Sequence, residues 1–513
     1  MIIFNNLIIN QKWTSWYIDK NIINTKGRDY ILKQIGIACT NIFHYIHLKR
    51  IAIELRKNEM EVMFIIYTPR HVNGRFEKLE EYFQNNDINY CSFEEVFGNQ
   101  ISFDMIIAPY FLPGFQLLDN KIIKVRCLYG YAKDRWNYAE WNKGFDLILS
   151  YGPYAEKRLS KFSKVINIGH PRNRVNYKQE ILDIQGKLFS RKLVKKPVVV
   201  YCPTWADLSS LNLFSTSLEK LKENYTVLIK LHHGNVLSDN KIKMDEFLKS
   251  EDVFIFDEQY DLFDLLSQCD AVISDHSGAI FDAMLFKKPI VLLDPYQNKV
   301  NTGFTNLQNM KNIAVYTKEK EDESNLESLD IKVRNILPHT QDINRLQDLI
   351  ETSMKNEEVP YSGLLKELYS FNDSKAPKRA VNALKEILAS TEIQSKDAKD
   401  FHILDDEKID HFILRNKNDH LTIWGAGEIG QVLYSWITAK GFNISSIYDS
   451  DINKHGKLVQ NTEVIPPQVK GKILITVASH QKEIISFLEN AGLRSGEDFI
   501  SVFRSVNSNE NSQ

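Results

Sequence analysis

Cysteine is scarce in this sequence. The five present, Cys39, Cys91, Cys127, Cys202 and Cys269, are odd in number, far apart and without CxxC or Cys/His spacing. That pattern excludes a disulfide framework and a cysteine-based zinc site, and a reducing compartment fits best. Neither sign of charge is in excess: 64 lysines and arginines face 66 aspartates and glutamates, for a net charge of −2. No global electrostatic case for a nucleic-acid partner follows. Long hydrophobic runs are missing too, so no membrane span is expected. The start, MIIFNNLIINQKW, lacks a basic segment followed by an adequate apolar core, so no signal peptide is expected. Peripheral contact with a membrane stays open, since it needs only a basic or amphipathic patch. The expected place is the cytoplasm, free or on the inner face of the cell membrane. Acid pairs, Ser/His/Asp orders and metal-ligand clusters of diagnostic spacing are absent, which argues against hydrolases and leaves no metal expected.

What is present is an ordinary folded composition, 43% apolar and 25% charged, in a chain too long for one core. Strand-like and helix-like stretches alternate, which implies an α/β class with mostly parallel sheets covered on both faces. Over residues 1–175 the pattern predicts a helix at 31–57, strands at 62–67, 88–93, 104–110, 122–130 and 145–152, and helices at 75–85 and 153–162. Residues 176–390 repeat the alternation, with helices at 178–189, 214–224, 242–250 and 262–268 among strands at 198–201, 226–234, 253–256, 271–273 and 290–293. Helices near 342–355 and 380–388 close this half, the polar stretch 391–411 reads as a linker, and 412–508 forms a third, Rossmann-like domain.

Four turns of the second half follow the carboxyl ends of predicted strands, where parallel sheets bind ligands. They hold Thr204 and Trp205, Lys230 to His233, Glu258 to Asp261, and Asp275 to Gly278. The last lies in CDAVISDHSGAIFDAMLFKKPIVLLD, a strand, a small-polar turn and a helix start. Free N–H groups and the positive helix end point out of such a turn, Ser277 offers a hydroxyl, and Gly278 admits a ligand to the backbone. A phosphate fits there; so does a plainer reading in which Ser277 only caps its helix. Hydroxyls of Thr204 and Ser277, the Lys230 cation and the His232 and His233 imidazoles would cradle a diphosphate. Lys230 and His232 would then stabilise charge on a departing nucleotide. In the first half, YGYAKDRWNYAEWNKG lies at the same sheet edge, either as part of a site or as aromatic packing of a loop.

Near the end, LTIWGAGEIGQVLYSWI sets Gly425, Gly427 and Gly430 between a short strand and a helix, and Asp449 follows Gly430 by 19 residues. That is the dinucleotide fingerprint in its proper context. So small a domain carries half of a dinucleotide site, so NAD is allowed there, but an empty or differently liganded regulatory or assembly module is the favoured reading.

Taken in order, IGHPRN (168–173), YCPTW (201–205), LIKLHHG (228–234), the long stretch 261–294 and FNDSKAPKRAVNAL (371–384) resemble the motifs of the CDP-glycerol glycerophosphotransferase family of teichoic-acid and capsule synthesis. The resemblance covers about residues 125 to 390. It implies a GT-B fold, a CDP-linked donor on the second domain, and a lipid-linked or polysaccharide acceptor on the first. Position by position it implies that Thr204, His232, Asp275, Ser277 and Asp282 line the donor site and that Arg172 sits on the inter-domain face. Together with the turn chemistry above, the expected site is His232 and Lys230 as catalytic groups, Thr204, Asp275, His276, Ser277, Gly278 and Asp282 at the donor, and Tyr129 and Arg172 on the acceptor side. No cofactor beyond the donor is required. This chain departs from the family at Tyr129, where a histidine taken as the base is usual; a phenol of pKa about 10 is a poor base at neutral pH. It also has Asp-His-Ser-Gly for Asp-Tyr-Ser-Ser, and His233 for a proline. The expected activity is polyol-phosphate transfer from a CDP-activated donor. The alternatives are a nucleotide-sugar-dependent GT-B glycosyltransferase, a weakened GT-B scaffold or sensor in the same pathway, and a nucleotide-sugar epimerase.

Overall fold

The computed structural model describes residues 32–68, 74–98, 101–112, 114–132, 134–174, 196–205, 208–211, 219–232, 253–294, 329–390 and 403–504. Three sheets organise them. The first contains β1 (Gln34–Cys39), β2 (Glu61–Ile66), β3 (Tyr90–Ser92), β4 (Met105–Ala108), β5 (Ile123–Cys127), β6 (Leu147–Ser150) and β7 (Lys164–Asn167), in the order β3-β2-β1-β4-β5-β6-β7. All its pairings are parallel. Its inner strands, such as β1, β4 and β6, are short, mostly apolar runs buried on both faces, as helix-covered parallel sheets require, and the edge strand β7 is only half-buried.

The second sheet contains β8 (Val198–Cys202), β9 (Thr226–Lys230), β10 (Val253–Phe256), β11 (Ala271–Ser274), β12 (Ile290–Leu293) and β13 (His339–Thr340), again all parallel, in the order β10-β9-β8-β11-β12-β13. The third contains β14 (Leu421–Trp424), β15 (Ile444–Tyr448), β16 (Leu458–Val459), β17 (Thr462–Ile465), β18 (Lys472–Ile475) and β19 (Phe499–Ser501), in the order β16-β17-β15-β14-β18-β19. Only β16 and β17 pair antiparallel. In each sheet the order reverses beside the first strand, at β1/β4, β8/β11 and β14/β18. Those reversals are the switch points at which doubly wound sheets bind ligands.

The first two sheets form the GT-B pair. After the second sheet, the helix Ala376–Ala389 crosses back to the first lobe, where Ala380 and Leu384 share a core with Ile46 and Ile51 of the helix Ile42–Arg56. The third lobe docks on the first through the Gln116 side chain, whose oxygen accepts from the Ile403 and Leu404 N–H groups (2.8 and 3.0 Å) while its amide donates to the Leu404 carbonyl (2.8 Å). Val432 and Leu433 of the third lobe lie in one continuous core with Phe97 and Phe115 of the first.

Two expectations are corrected. Residues 31–57 are not one helix: β1 comes first, and Thr40 and Asn41 break the chain before Ile42–Arg56. The Asn41 side chain accepts the His44 N–H and starts that helix. The supposed linker ends early, because the helix Asp406–Arg415 begins inside it behind an Asp405 cap. The predicted helices at 178–189 and 242–250, and residues 391–402 of the linker, lie outside the described residues.

Candidate functional site

The carboxyl ends of all three sheets border one cavity of about 1290 Å³. Of the residues singled out in the sequence, Tyr129, Thr204, Lys230, His232, His276, Ser277, Gly278 and Asp282 reach its wall, joined by Gly425, Gly427 and Asp449 of the third lobe. Asp275, Arg172 and Gly430 do not line it; His233 lies outside the described residues.

On the second lobe the turns after β8 and β11 are tied together by Asp275, which is fully buried. Its carboxylate accepts from the Thr204 N–H (2.7 Å), the Ser210 N–H and hydroxyl (2.8 Å each) and the His276 N–H (2.7 Å). Burial pushes its pKa up against those four donors. Asp275 therefore ties the turns together and does not line the cavity. His276 is likewise occupied. Its Nδ1 lies 3.0 Å from Asp330 Oδ2 and its Nε2 3.2 Å from Arg334 Nη2. A guanidinium only donates, so Nε2 accepts and Nδ1 carries the proton. His276 thus offers ring surface to the cavity, whereas Ser277 and Gly278 offer a hydroxyl and an approachable backbone. A side chain at Gly278 would meet only Ala132 of the first lobe, at 3.6 Å.

Lys230 ends β9, where its ammonium donates to the Asp257 carbonyl at 2.6 Å, and burial lowers its pKa to about 8. His232 stacks on Trp205 with ring centroids 6.1 Å apart and planes 16° apart. Thr204, Lys230, His232 and Ser277, from three neighbouring strands, therefore share one wall, as parallel topology requires.

Arg172, expected on the inter-domain face, clamps the two lobes, and Asp282, which also reaches the cavity wall, is one of its partners. The Arg172 guanidinium donates to Asp261 at 3.0 Å and to Asp282 at 2.5 Å, and lies 4.2 Å over the Phe263 ring. His170 adds a contact to Asp282 at 3.3 Å, and Arg174 pairs Asp261 at 2.9 Å. Burial alone would lower the Arg172 pKa, but Asp282 and Asp261 outweigh it and hold the cation firmly charged.

On the first lobe Tyr129 sits in an aromatic cluster, with ring centroids 5.8 Å from Tyr110 and 5.7 Å from His44. Burial raises the pKa of both phenols, so each stays more fully protonated near neutral pH than free tyrosine and has less phenolate to act as a base. His44, missed in the sequence because β1 was read as helix, also lines the cavity. Its Nδ1 accepts from the Thr40 N–H at 3.3 Å, which leaves the ring proton on Nε2. Arg75 was missed as well, whereas Glu258, expected in one of the four turns, does reach the wall; it pairs Lys78 at 3.8 Å, and burial raises its pKa.

The third lobe presents the glycine turn as the fingerprint demands. Gly425 has φ +123°, and a side chain on Gly430 would stand 1.8 Å from the Gly425 carbonyl oxygen, while nothing lies within 4 Å of a side chain built on Gly427. Asp449, expected to hold a ribose, accepts from the Ala426 N–H (2.8 Å), Lys454 (2.9 Å) and the Asp451 N–H (2.9 Å). Its carboxylate is already engaged by the chain itself. Glu428, the next residue of the fingerprint, faces the cavity and was not singled out.

Two doubly wound lobes clamped around a cavity, with a cation, an imidazole and a hydroxyl turn on one wall, define a protein of the GT-B type. Residues 134–329 match the family model described as CDP-Glycerol:Poly(glycerophosphate) glycerophosphotransferase. Among relatives, the teichoic acid glycerol-phosphate primase of Bacillus subtilis (strain 168) is 30% identical over 149 residues, 27% of this chain and 36% of that protein. The teichoic acid poly(glycerol phosphate) polymerase of Bacillus spizizenii is 28% identical over 178 residues, 31% of this chain and 43% of that protein. The chain thus spans less than half the length of these relatives. Among solved structures, the wall teichoic acid polymerase TagF is 14% identical with a TM-score of 0.43, over 69% of this chain and 88% of that one. The family match begins just after Tyr129 and ends before the third lobe.

Proposed function

We propose that this protein transfers a polyol phosphate, of the glycerol phosphate type, from a CDP-activated donor to a hydroxyl of a teichoic-acid-like or other surface-polysaccharide acceptor, lipid-linked or free. The observation that carries the reading is the wall formed by Thr204, Lys230, His232, Ser277 and Gly278, which lies within the family match and gathers cation, imidazole, hydroxyl and open backbone at a switch point. In the reaction the acceptor oxygen attacks the phosphorus bearing the polyol, and the bond to CMP breaks. Charge growing on the departing CMP oxygen meets the Lys230 ammonium and His232. The donor is the one small molecule the reading requires, and NAD is not the favoured occupant of the third lobe. Work at the cytoplasmic face of a membrane fits such an acceptor; among the described residues no helix is long and apolar enough to cross one. One observation supports a second reading, a weakened scaffold or sensor in the same pathway: Tyr129 stands where the family base is expected and burial makes it more weakly acidic still. Incubation with CDP-glycerol and a glycerol-phosphate-primed acceptor decides between them. Transfer reads as CMP release that depends on the acceptor and falls at least tenfold in His232→Ala; donor binding without CMP release establishes the scaffold.

A further inference from the structure

If transfer occurs, some group must take the acceptor proton, and the usual place for it holds Tyr129. The cavity offers few others. His44 keeps its proton on Nε2 because Thr40 donates to Nδ1, His276 is bound on both nitrogens, and Glu258 is paired with Lys78. Glu428 differs from all of these. It opens the helix Glu428–Ala439 of the third lobe and faces the cavity, and its carboxylate has no hydrogen-bond or ion-pair partner among the described residues. The Gln116 bonds and the shared core around Val432 fix its helix against the first lobe, on the acceptor side.

We propose that the third lobe is part of the transfer site, and that the Glu428 carboxylate binds the attacking hydroxyl of the acceptor and receives its proton. This rests on the transferase reading above. The acceptor O–H proton passes to a Glu428 oxygen as the new O–P bond forms to the phosphorus carrying the polyol; the P–O bond to CMP breaks, and CMP leaves with the electron pair. Burial supports the role, raising the Glu428 pKa to about 7 with Arg75 opposing the rise. Arg75 and Tyr110 of the first lobe interact with it electrostatically, and the titratable groups on the same cavity wall include His44, Tyr129, Lys230, His232, Glu258, His276 and Asp282 of the first two lobes and Asp449, Asp451, Lys454, His480 and Glu483 of its own. The base form exists above that pKa, so kcat/KM rises as pH rises through about 7.

The test compares wild type, Glu428→Gln and Glu428→Asp for CDP-glycerol binding by thermal shift and for transfer across pH. The expected result is unchanged donor binding in Glu428→Gln, a kcat lowered by about 100-fold or more, loss of the rise near pH 7, and partial recovery in Glu428→Asp. Wild-type turnover with the rise intact in Glu428→Gln overturns the assignment. If that variant does not fold, an unmoved rise in Glu428→Asp overturns it equally. A wild-type protein that neither binds CDP-glycerol nor releases CMP overturns the transferase reading itself, and the role of Glu428 falls with it.

Discussion

The clamp between the lobes gives a stability prediction with a sign and a size. Arg172 is 1% exposed and bridges Asp261 and Asp282, themselves 7% and 9% exposed. Arg172→Met removes the cation but keeps much of the stem volume. Asp261 would still have Arg174 at 2.9 Å, whereas Asp282 would keep only His170 at 3.3 Å, so one buried carboxylate is stranded rather than two. Breaking a buried pair by removing one partner costs about 3–5 kcal/mol, and the surviving contacts put this case near about 3. At roughly 1–1.5 °C per kcal/mol for a pair of lobes of this size, that is a Tm loss of about 3–4 °C. The loss also depends on pH. In the wild type burial raises the Asp282 pKa, but Arg172 and His170 outweigh it and hold the carboxyl below its usual range. The stability it contributes is therefore present above the unfolded pKa and lost only as pH falls through the lower folded one. In Arg172→Met burial acts unopposed by that cation, the folded pKa rises, and protonation relieves the strain as pH falls. The gap in Tm between variant and wild type should be widest near neutral pH and narrow towards about pH 5, and Asp282→Asn added to Arg172→Met should recover most of it. Scanning calorimetry across that range is the assay. A Tm within about 2 °C of wild type, or a gap independent of pH, would refute the clamp.

Lys230 should impose the alkaline limb. Burial sets its pKa near 8, so kcat/KM should fall as pH rises through about 8, and Lys230→Met should remove that limb while slowing turnover by about 100-fold; a limb unchanged in the variant would exclude the lysine. In the third lobe, Gly430→Ala places a carbon against the Gly425 carbonyl oxygen and should cost about 1–3 kcal/mol in urea unfolding, with a wild-type midpoint contradicting the close packing.

The sequence carried the alternation of strands and helices, and with it the doubly wound class, because parallel strands such as Ala271–Ser274 and Ile290–Leu293 are apolar throughout and bounded by turn residues. It failed at β1 for the same reason. An apolar strand running into the apolar helix Ile42–Arg56 has no change of period to mark it, and only the short Thr40-Asn41 break separates the two. That one error hid His44, which meets Tyr110 beyond the carboxyl ends of β1 and β4. Within the site, residue types were legible but their duties were not. Asp275, Asp282, Ser277 and Gly278 lie within eight positions of each other, yet Ser277 and Gly278 present a hydroxyl and open backbone to the cavity while the carboxylates are engaged by Ser210 and Arg172. Partners 65 and 110 residues away decide that, and no local pattern encodes them. Glu428 was in plain view inside the glycine fingerprint, but only the docking of the third lobe on the first brings it to the shared cavity.

The central claim is that the wall around Lys230 and Ser277 takes a CDP-linked donor. Thermal shift of the full chain against CDP, CDP-glycerol, UDP, UDP-sugars, GDP and NAD tests it most directly, since a ligand at 100 times its Kd stabilises by about 2.7 kcal/mol. The expected result is stabilisation by CDP and CDP-glycerol that Ser277→Ala weakens by about 10-fold or more in Kd, the loss of one charge-assisted hydrogen bond. Stabilisation by UDP compounds alone, or by NAD alone, would contradict it.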